Sequence, residues 1–175
     1  ENAGGICGTD AGDQKDSTSN FGDVTISYCW NTGTMNGQYS GGMCGMRLRS
    51  GIVKYCYNTG AINGTSSGGI CGNGTANNNN TSGVAIFNCL SDANGNSEIN
   101  QGGITGYNTA VSGGLVNIYN CWVRGNNLTG GIASHKGNGT LNVKNCYYIG
   151  DSSLSAGTKT NTYKTSSTDG WDDTY

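Results

Sequence analysis

The sequence contains no proline, a single histidine, two phenylalanines and few charges: nine Lys or Arg and eleven Asp or Glu in 175 residues, for a formal net charge of -2. An ordinary globular domain is about 25% charged, against 11% here. Disordered chains usually carry high net charge or are rich in Pro, Glu and Lys, so the low charge and absent proline exclude that class. Nine scattered basic residues leave no electrostatic footprint for nucleic acid. No apolar run approaches the ~20 residues that a membrane span needs, which predicts no membrane insertion. The lone histidine, His135, has no repeated acidic partner and reads as a surface-loop residue rather than a catalytic or metal-binding one.

What is abundant is glycine, 32 residues. Glycine is costly inside helices, so a helical bundle is excluded as well. Two short phrases alternate along the chain. The first is Gly-Gly-x-x-Gly: GGICG from Gly4, GGMCG from Gly41, GGICG from Gly68, GGITG from Gly102 and, weaker, GGIAS from Gly130. The second is an alternating apolar run ending in Cys: VTISYCWNTG from Val24, IVKYCYNTG from Ile52, VAIFNCLSD from Val84, VNIYNCWVRG from Val116 and LNVKNCYYIG from Leu141. Its cysteines, Cys29, Cys56, Cys89, Cys121 and Cys146, recur at similar though unequal intervals.

Aligned on that Cys, the position three before holds Ile26, Val53, Ile86, Ile118 and Val143, and the position five before holds Val24, Gly51, Val84, Val116 and Leu141. β-branched residues two apart mark a strand. The alternation breaks at Tyr28, Tyr55, Asn88, Asn120 and Asn145, where a bend or bulge is expected. Asn-Gly pairs between the phrases would suit hairpins of an antiparallel sandwich. A sandwich gives no reason for one column to hold the same residue type in unit after unit. Units stacked at about 4.8 Å give that reason. The pattern therefore predicts an all-β fold, a parallel β-helix or β-solenoid of about five coils over residues 1–150, with 151–175 as a C-terminal cap or linker. Glycine and Asn are spent on corners that need left-handed backbone, and charge is scarce because like charges would repel along a column. The insertions Thr9–Asp23, Gly72–Gly83 and Tyr107–Gly114 are expected to project as loops.

The alternation of YCWNTGTMNG with GGMCG, and of YCYNTGAING with GGICG, resembles the GLUG-motif repeats of large bacterial cell-surface proteins, adhesins and some surface-attached peptidases. The resemblance covers about Gly4 to Gly150. Later units depart from it, with Ser91-Asp92-Ala93 and Val123-Arg124-Gly125 where Asn-Thr-Gly stands earlier. It implies a right-handed β-helix, export to the bacterial cell surface and a role as stalk or adhesive surface, and it carries over no catalytic residue. The first Gly-Gly phrase lacks a preceding Cys phrase, so the chain is expected to begin inside a longer array.

Few side chains point to chemistry. Even the two cysteines nearest in sequence, Cys44 and Cys56, are far from C-x2-C spacing, so a metal site of that kind is not expected, and no cofactor is implied. Cys29 and Cys44 share one spacing with Cys56 and Cys71, which is open to disulfides across a coil. The second column, however, runs Cys7, Cys44, Cys71, Thr105 and Ala133, which points to small, buried, weakly polar side chains in reduced ladders. Asp10, Asp13 and Asp16 offer a weak calcium site, against the plainer reading of a solvated loop. The column after the Cys holds Trp30, Tyr57, Leu90, Trp122 and Tyr147. Facing outward, Trp30, Tyr57, Trp122 and Tyr147 would make a stripe for stacking sugar rings; facing inward they would pack the core. The next candidate column, Thr32, Thr59, Asp92, Arg124 and Ile149, is too interrupted by charge for an ice-binding ladder. The functional expectation is a non-enzymatic structural or adhesive module at a bacterial surface. Its expected partners are a host or environmental glycan or protein, neighbouring repeats, or other copies joined end to end. The alternatives are a carbohydrate-binding or carbohydrate-active β-helix and a self-assembling extracellular filament subunit.

Overall fold

The structure, a computed structural model, describes residues 3–12, 22–77, 83–149, 157–160 and 163–165. Among them there are strands and no helix. Each unit contributes two short strands: β1 (Val24–Ser27) and β2 (Trp30–Asn31), β3 (Gly51–Lys54) and β4 (Tyr57–Asn58), β5 (Val84–Phe87) and β6 (Leu90–Asp92), β7 (Leu115–Tyr119) and β8 (Trp122–Arg124), β9 (Thr140–Lys144) and β10 (Tyr147–Ile149). A last pair, β11 (Thr158–Thr160) and β12 (Tyr163–Thr165), lies within the region expected to cap or link. The odd-numbered strands form one six-stranded sheet and the even-numbered strands a second, both in chain order. Every pairing is parallel.

The register follows the sequence columns. Ile26, Val53, Ile86, Ile118 and Val143 are successive partners, and all five are buried. The bend expected between the two strands is a single left-handed residue: Tyr28, Tyr55, Asn88, Asn120 and Asn145 have φ between 51° and 56°. Asn is the non-glycine residue that visits this region most readily, whereas the two tyrosines hold it against their Cβ.

The Gly-Gly phrases make a third parallel run. Gly4, Gly41, Gly68, Gly102 and Gly130 bridge in order, as do Cys7, Cys44, Cys71, Thr105 and Ala133. The second glycine of each phrase explains why the two phrases travel together. A Cβ on Gly42 would meet the Asn58 side chain, on Gly69 that of Ser91, on Gly103 that of Val123, and on Gly131 the ring of Tyr148. These four residues form one inward column of the second sheet, and the glycine leaves them room.

The insertions do not project as expected, at least where they are described. Asp10, Arg47, Gly74 and Ala76 donate backbone hydrogen bonds to Met46, Asn73, Tyr107 and Leu48, and Ala110 donates to Thr75. Thr75, Ala76, Thr109 and Ala110 are buried, with Leu48. Each segment stacks on its neighbour because a buried backbone must find hydrogen-bond partners, and its small side chains let it close over the core. Residues 13–21 and 78–82 lie outside the described residues.

Two substitutions test this packing. Gly103→Ala drives a methyl into the Val123 side chain and the Gly131 carbonyl and is expected to destabilise by about 1–3 kcal/mol; Gly8→Ala, with nothing near its Cβ, should stay within about 0.5 kcal/mol of the parent in urea unfolding. At the corner, Asn88→Val is expected to cost about 1–2 kcal/mol, and Asn88→Gly to be tolerated.

Candidate functional site

The five cysteines of the second phrase follow the left-handed corner, and the corner gives each one a task. Cys29, Cys56, Cys89, Cys121 and Cys146 each donate their thiol to the carbonyl two residues back, at Ser27, Lys54, Phe87, Tyr119 and Lys144, over 3.2–3.4 Å. The last four also reach a carbonyl of the preceding unit, at Ile26, Val53, Ile86 and Ile118, over 3.6–3.9 Å. Alanine could not donate, and serine would bring a more strongly hydrated hydroxyl into the core. A thiol is small, apolar and a weak donor.

All eight cysteines are free in the structure, with Cys7 and Cys29 half-buried and the other six buried. Cys56, Cys89, Cys121 and Cys146 act on one another along this column, and their shifts alternate in direction. Cys56 is pushed up, chiefly by its bond to Cys89, and Cys121 is pushed up, chiefly by burial. Cys89 is pulled down to about 4, and Cys146 is pulled down, both chiefly by the bond from Cys121. At Cys56, Cys89, Cys121 and Cys146 burial acts against the charged thiolate. Cys71 rises through its bond to Cys44 and through burial, and Cys7 rises mainly through burial.

The aromatic column stands on the opposite face of the strand from the core. Trp30 is 66% exposed, and Tyr57, Leu90, Trp122 and Tyr147 are half-buried. They are partners in successive strands. Trp30 and Tyr57 stack with ring centroids 5.6 Å apart and planes 27° apart; the corner residues Tyr28 and Tyr55 stack at 5.0 Å and 11°. A sugar ring stacks on an aromatic face, and here ring faces lie against each other, leaving Tyr28 and Trp30 as the outermost rings of their stacks.

The charged candidates pair with each other. Asp10 Oδ1 lies 3.1 Å from Arg47 Nε and 2.9 Å from Arg49 Nη2. That carboxylate faces two guanidinium groups, a poor setting for the expected calcium site; Asp13 and Asp16 lie outside the described residues. No group of three or more metal-ligating side chains converges among the described residues. Asp92 and Arg124 are partners in adjacent strands and form an ion pair, with Arg124 Nε 2.9 Å from Asp92 Oδ1. The bond to Arg124 holds the Asp92 carboxyl below its usual range. His135, read as a surface-loop residue, is half-buried with its ring centroid 4.5 Å from that of Tyr107.

Two polar groups escape a reading by columns of like residues. Asn31 and Asn58 each fold back on the residue two ahead: Gly33 N donates to Asn31 Oδ1, Asn31 Nδ2 donates to Gly33 O, and Asn58 does the same with Gly60. Asn31 Nδ2 also donates to Asn58 Oδ1 at 2.7 Å. The Asn-Thr-Gly of the second phrase is thus a self-bonded turn whose amides form a ladder. Gln101, wholly buried, donates to the carbonyls of Ile62 and Gly64 and accepts from Asn96 N. It stands where the earlier units have Ser40 and Ser67, and that break in the column was the available signal.

No family model matches the chain, and no curated protein or solved structure shows significant similarity to it. No helix among the described residues is long and apolar enough to cross a membrane.

Thiol labelling tests the burial. At pH 8, brief iodoacetamide treatment should label Cys7 and Cys29, and the other six only after unfolding without reductant, as read by mass spectrometry. Because burial raises the Cys7 pKa above its ordinary 9.0, its labelling rate should keep climbing above pH 9. The raised pKa values of Cys71 and Cys121 add stability below pH 9 that is lost as pH rises beyond it, so the melting temperature should fall on the alkaline side.

Proposed function

We propose that this chain is a right-handed parallel β-helix, a solenoid of about five coils, serving as a non-enzymatic structural or adhesive module of a GLUG-type bacterial cell-surface protein. The observation that carries this reading is the in-register parallel stacking of both phrases through five successive units. A stack of that kind grows in one direction and makes a spacer whose length follows the number of units. The side chains with chemical potential are occupied in holding it together: thiols on corner carbonyls, Asp10 on two arginines, Asp92 on Arg124. The right hand and the extracellular bacterial setting rest on the resemblance of the YCWNTG and YCYNTG phrases to that repeat family.

Incubation with a panel of bacterial and host polysaccharides tests the functional side. The expected result is no release of reducing ends over prolonged incubation. Cleavage of any member that tracks with the folded protein would replace this reading by a carbohydrate-active one. In small-angle scattering the particle should be compact and nearly equidimensional, since five units about 4.8 Å apart stand only ~24 Å tall, and a flattened two-sheet particle would count against the coil.

A further inference from the structure

We propose that the outward face of the odd-numbered sheet binds an acidic polysaccharide, one bearing carboxylate or sulfate groups, laid across β3, β5, β7 and β9; the inference rests on the adhesive side of the reading above. These four strands are interior to their sheet, with β1 and β11 on either side. Their backbones are paired with one another, so a ligand on this face is recognised by side chains. One outward column runs Lys54, Phe87, Tyr119 and Lys144 in register. The two ammonium groups stand at its ends, three strand spacings or about 14 Å apart, with two rings between them.

The charge on this face is of one sign. β1, β3, β5, β7 and β9 contain no Asp or Glu, although the chain carries a formal charge of -2. Among the described residues the cations elsewhere are engaged: Arg47 and Arg49 face Asp10, Arg124 pairs with Asp92, and Lys136 Nζ donates to the Gly137 carbonyl. Lys54 and Lys144 have no carboxylate partner among the described residues. Lys54 Nζ lies 6.0 Å from the ring centroids of both Tyr55 and Phe87, contacts that hold the ammonium in place and leave its charge unneutralised.

Amides flank the column on both sides and specify the rest of the ligand. Tyr119 Oη and Asn142 Nδ2 both donate to Asn117 Oδ1 at 2.9 Å, and Asn145 Nδ2 donates to Asn120 Oδ1 at 3.3 Å. That leaves the Nδ2 groups of Asn117 and Asn120 and the Oδ1 atoms of Asn142 and Asn145 without a protein partner among the described residues. A surface offering donors beside acceptors suits hydroxyl groups, which act as both. The half-buried Phe87 ring and the Tyr55 ring, 44% exposed, suit the apolar C–H face of a sugar. Nucleic acid would bring a charge with every nucleotide to a face with two separated cations. An acidic peptide would bring the carboxylates without the hydroxyls.

The test is titration calorimetry of the full chain with polygalacturonate, whose charge is carboxylate, and with chondroitin sulfate, which adds sulfate. At least one should bind saturably, with an affinity that falls as salt rises, and the stronger of the two identifies the anion preferred. Fully methyl-esterified polygalacturonate, the same polymer without its charge, should bind about tenfold more weakly than the free acid, two exposed ion pairs at a few-fold each. The double variant Lys54→Gln with Lys144→Gln should lose the same factor at an unchanged melting temperature, while Lys136→Gln should bind like the parent. Phe87→Leu, which keeps the apolar volume, should cost about threefold. Binding of neither polymer, equal binding of the ester, or a folded double variant that binds like the parent would overturn the proposal. Equal competition by polyglutamate or duplex DNA would overturn it as well, assigning the face to an acidic protein or to polyanions in general. Should the double variant fail to fold, the salt dependence and the ester comparison decide. None of these outcomes alters the scattering profile or the release of reducing ends, so the two readings fail separately.

Discussion

In-register parallel pairing is the constraint on which the rest depends. When strands of successive units lie about 4.8 Å apart, every side chain has a counterpart from the next unit directly above it. A residue type is admissible only if it tolerates such a neighbour. β-branched chains interlock, amides bond one another, thiols share donors, and rings stack. Like charges repel, and the pair that does occur in one column, Asp92 over Arg124, is of opposite sign.

The corner makes a second demand. Turning from one sheet to the other within a single residue needs left-handed backbone, and the next side chain must then point into the core beside carbonyls that have changed direction. Cysteine answers both requirements, filling little space while donating to the carbonyl two residues back. Threonine and alanine replace it only in the Gly-Gly phrase, at Thr105 and Ala133, where no thiol-to-carbonyl bond is made among the described residues. That difference separates a column that keeps its cysteine from one that does not.

The columns of the odd-numbered strands could be read directly from the chain, because Ile26, Val53, Ile86, Ile118 and Val143 repeat a residue class at a fixed offset from a marker cysteine. The bend was legible as a break in alternation. The third packed segment was not, because Thr75, Ala76, Thr109 and Ala110 lie in stretches of unequal length that look like loops. Their burial comes from backbone hydrogen bonds to neighbouring segments, which have no side-chain signature. The partners of Asp10 were hidden for a related reason, since Arg47 and Arg49 belong to the following unit and approach it only once the units are stacked.

Repetition carries a hazard of its own, because a chain built from similar units can pair each with the wrong neighbour. Gln101 is unlike its counterparts Ser40 and Ser67, and its amide reaches the carbonyls of Ile62 and Gly64 in the unit before. Ser67 Oγ likewise donates to the Gly37 carbonyl one unit earlier, so the acceptors repeat while the donor lengthens. Where the serine hydroxyl reaches one carbonyl of the unit before, the longer amide of Gln101 spans two, and also accepts from Asn96 N. A departure from the repeat thus fastens one layer to the next at more points than the residue it replaces.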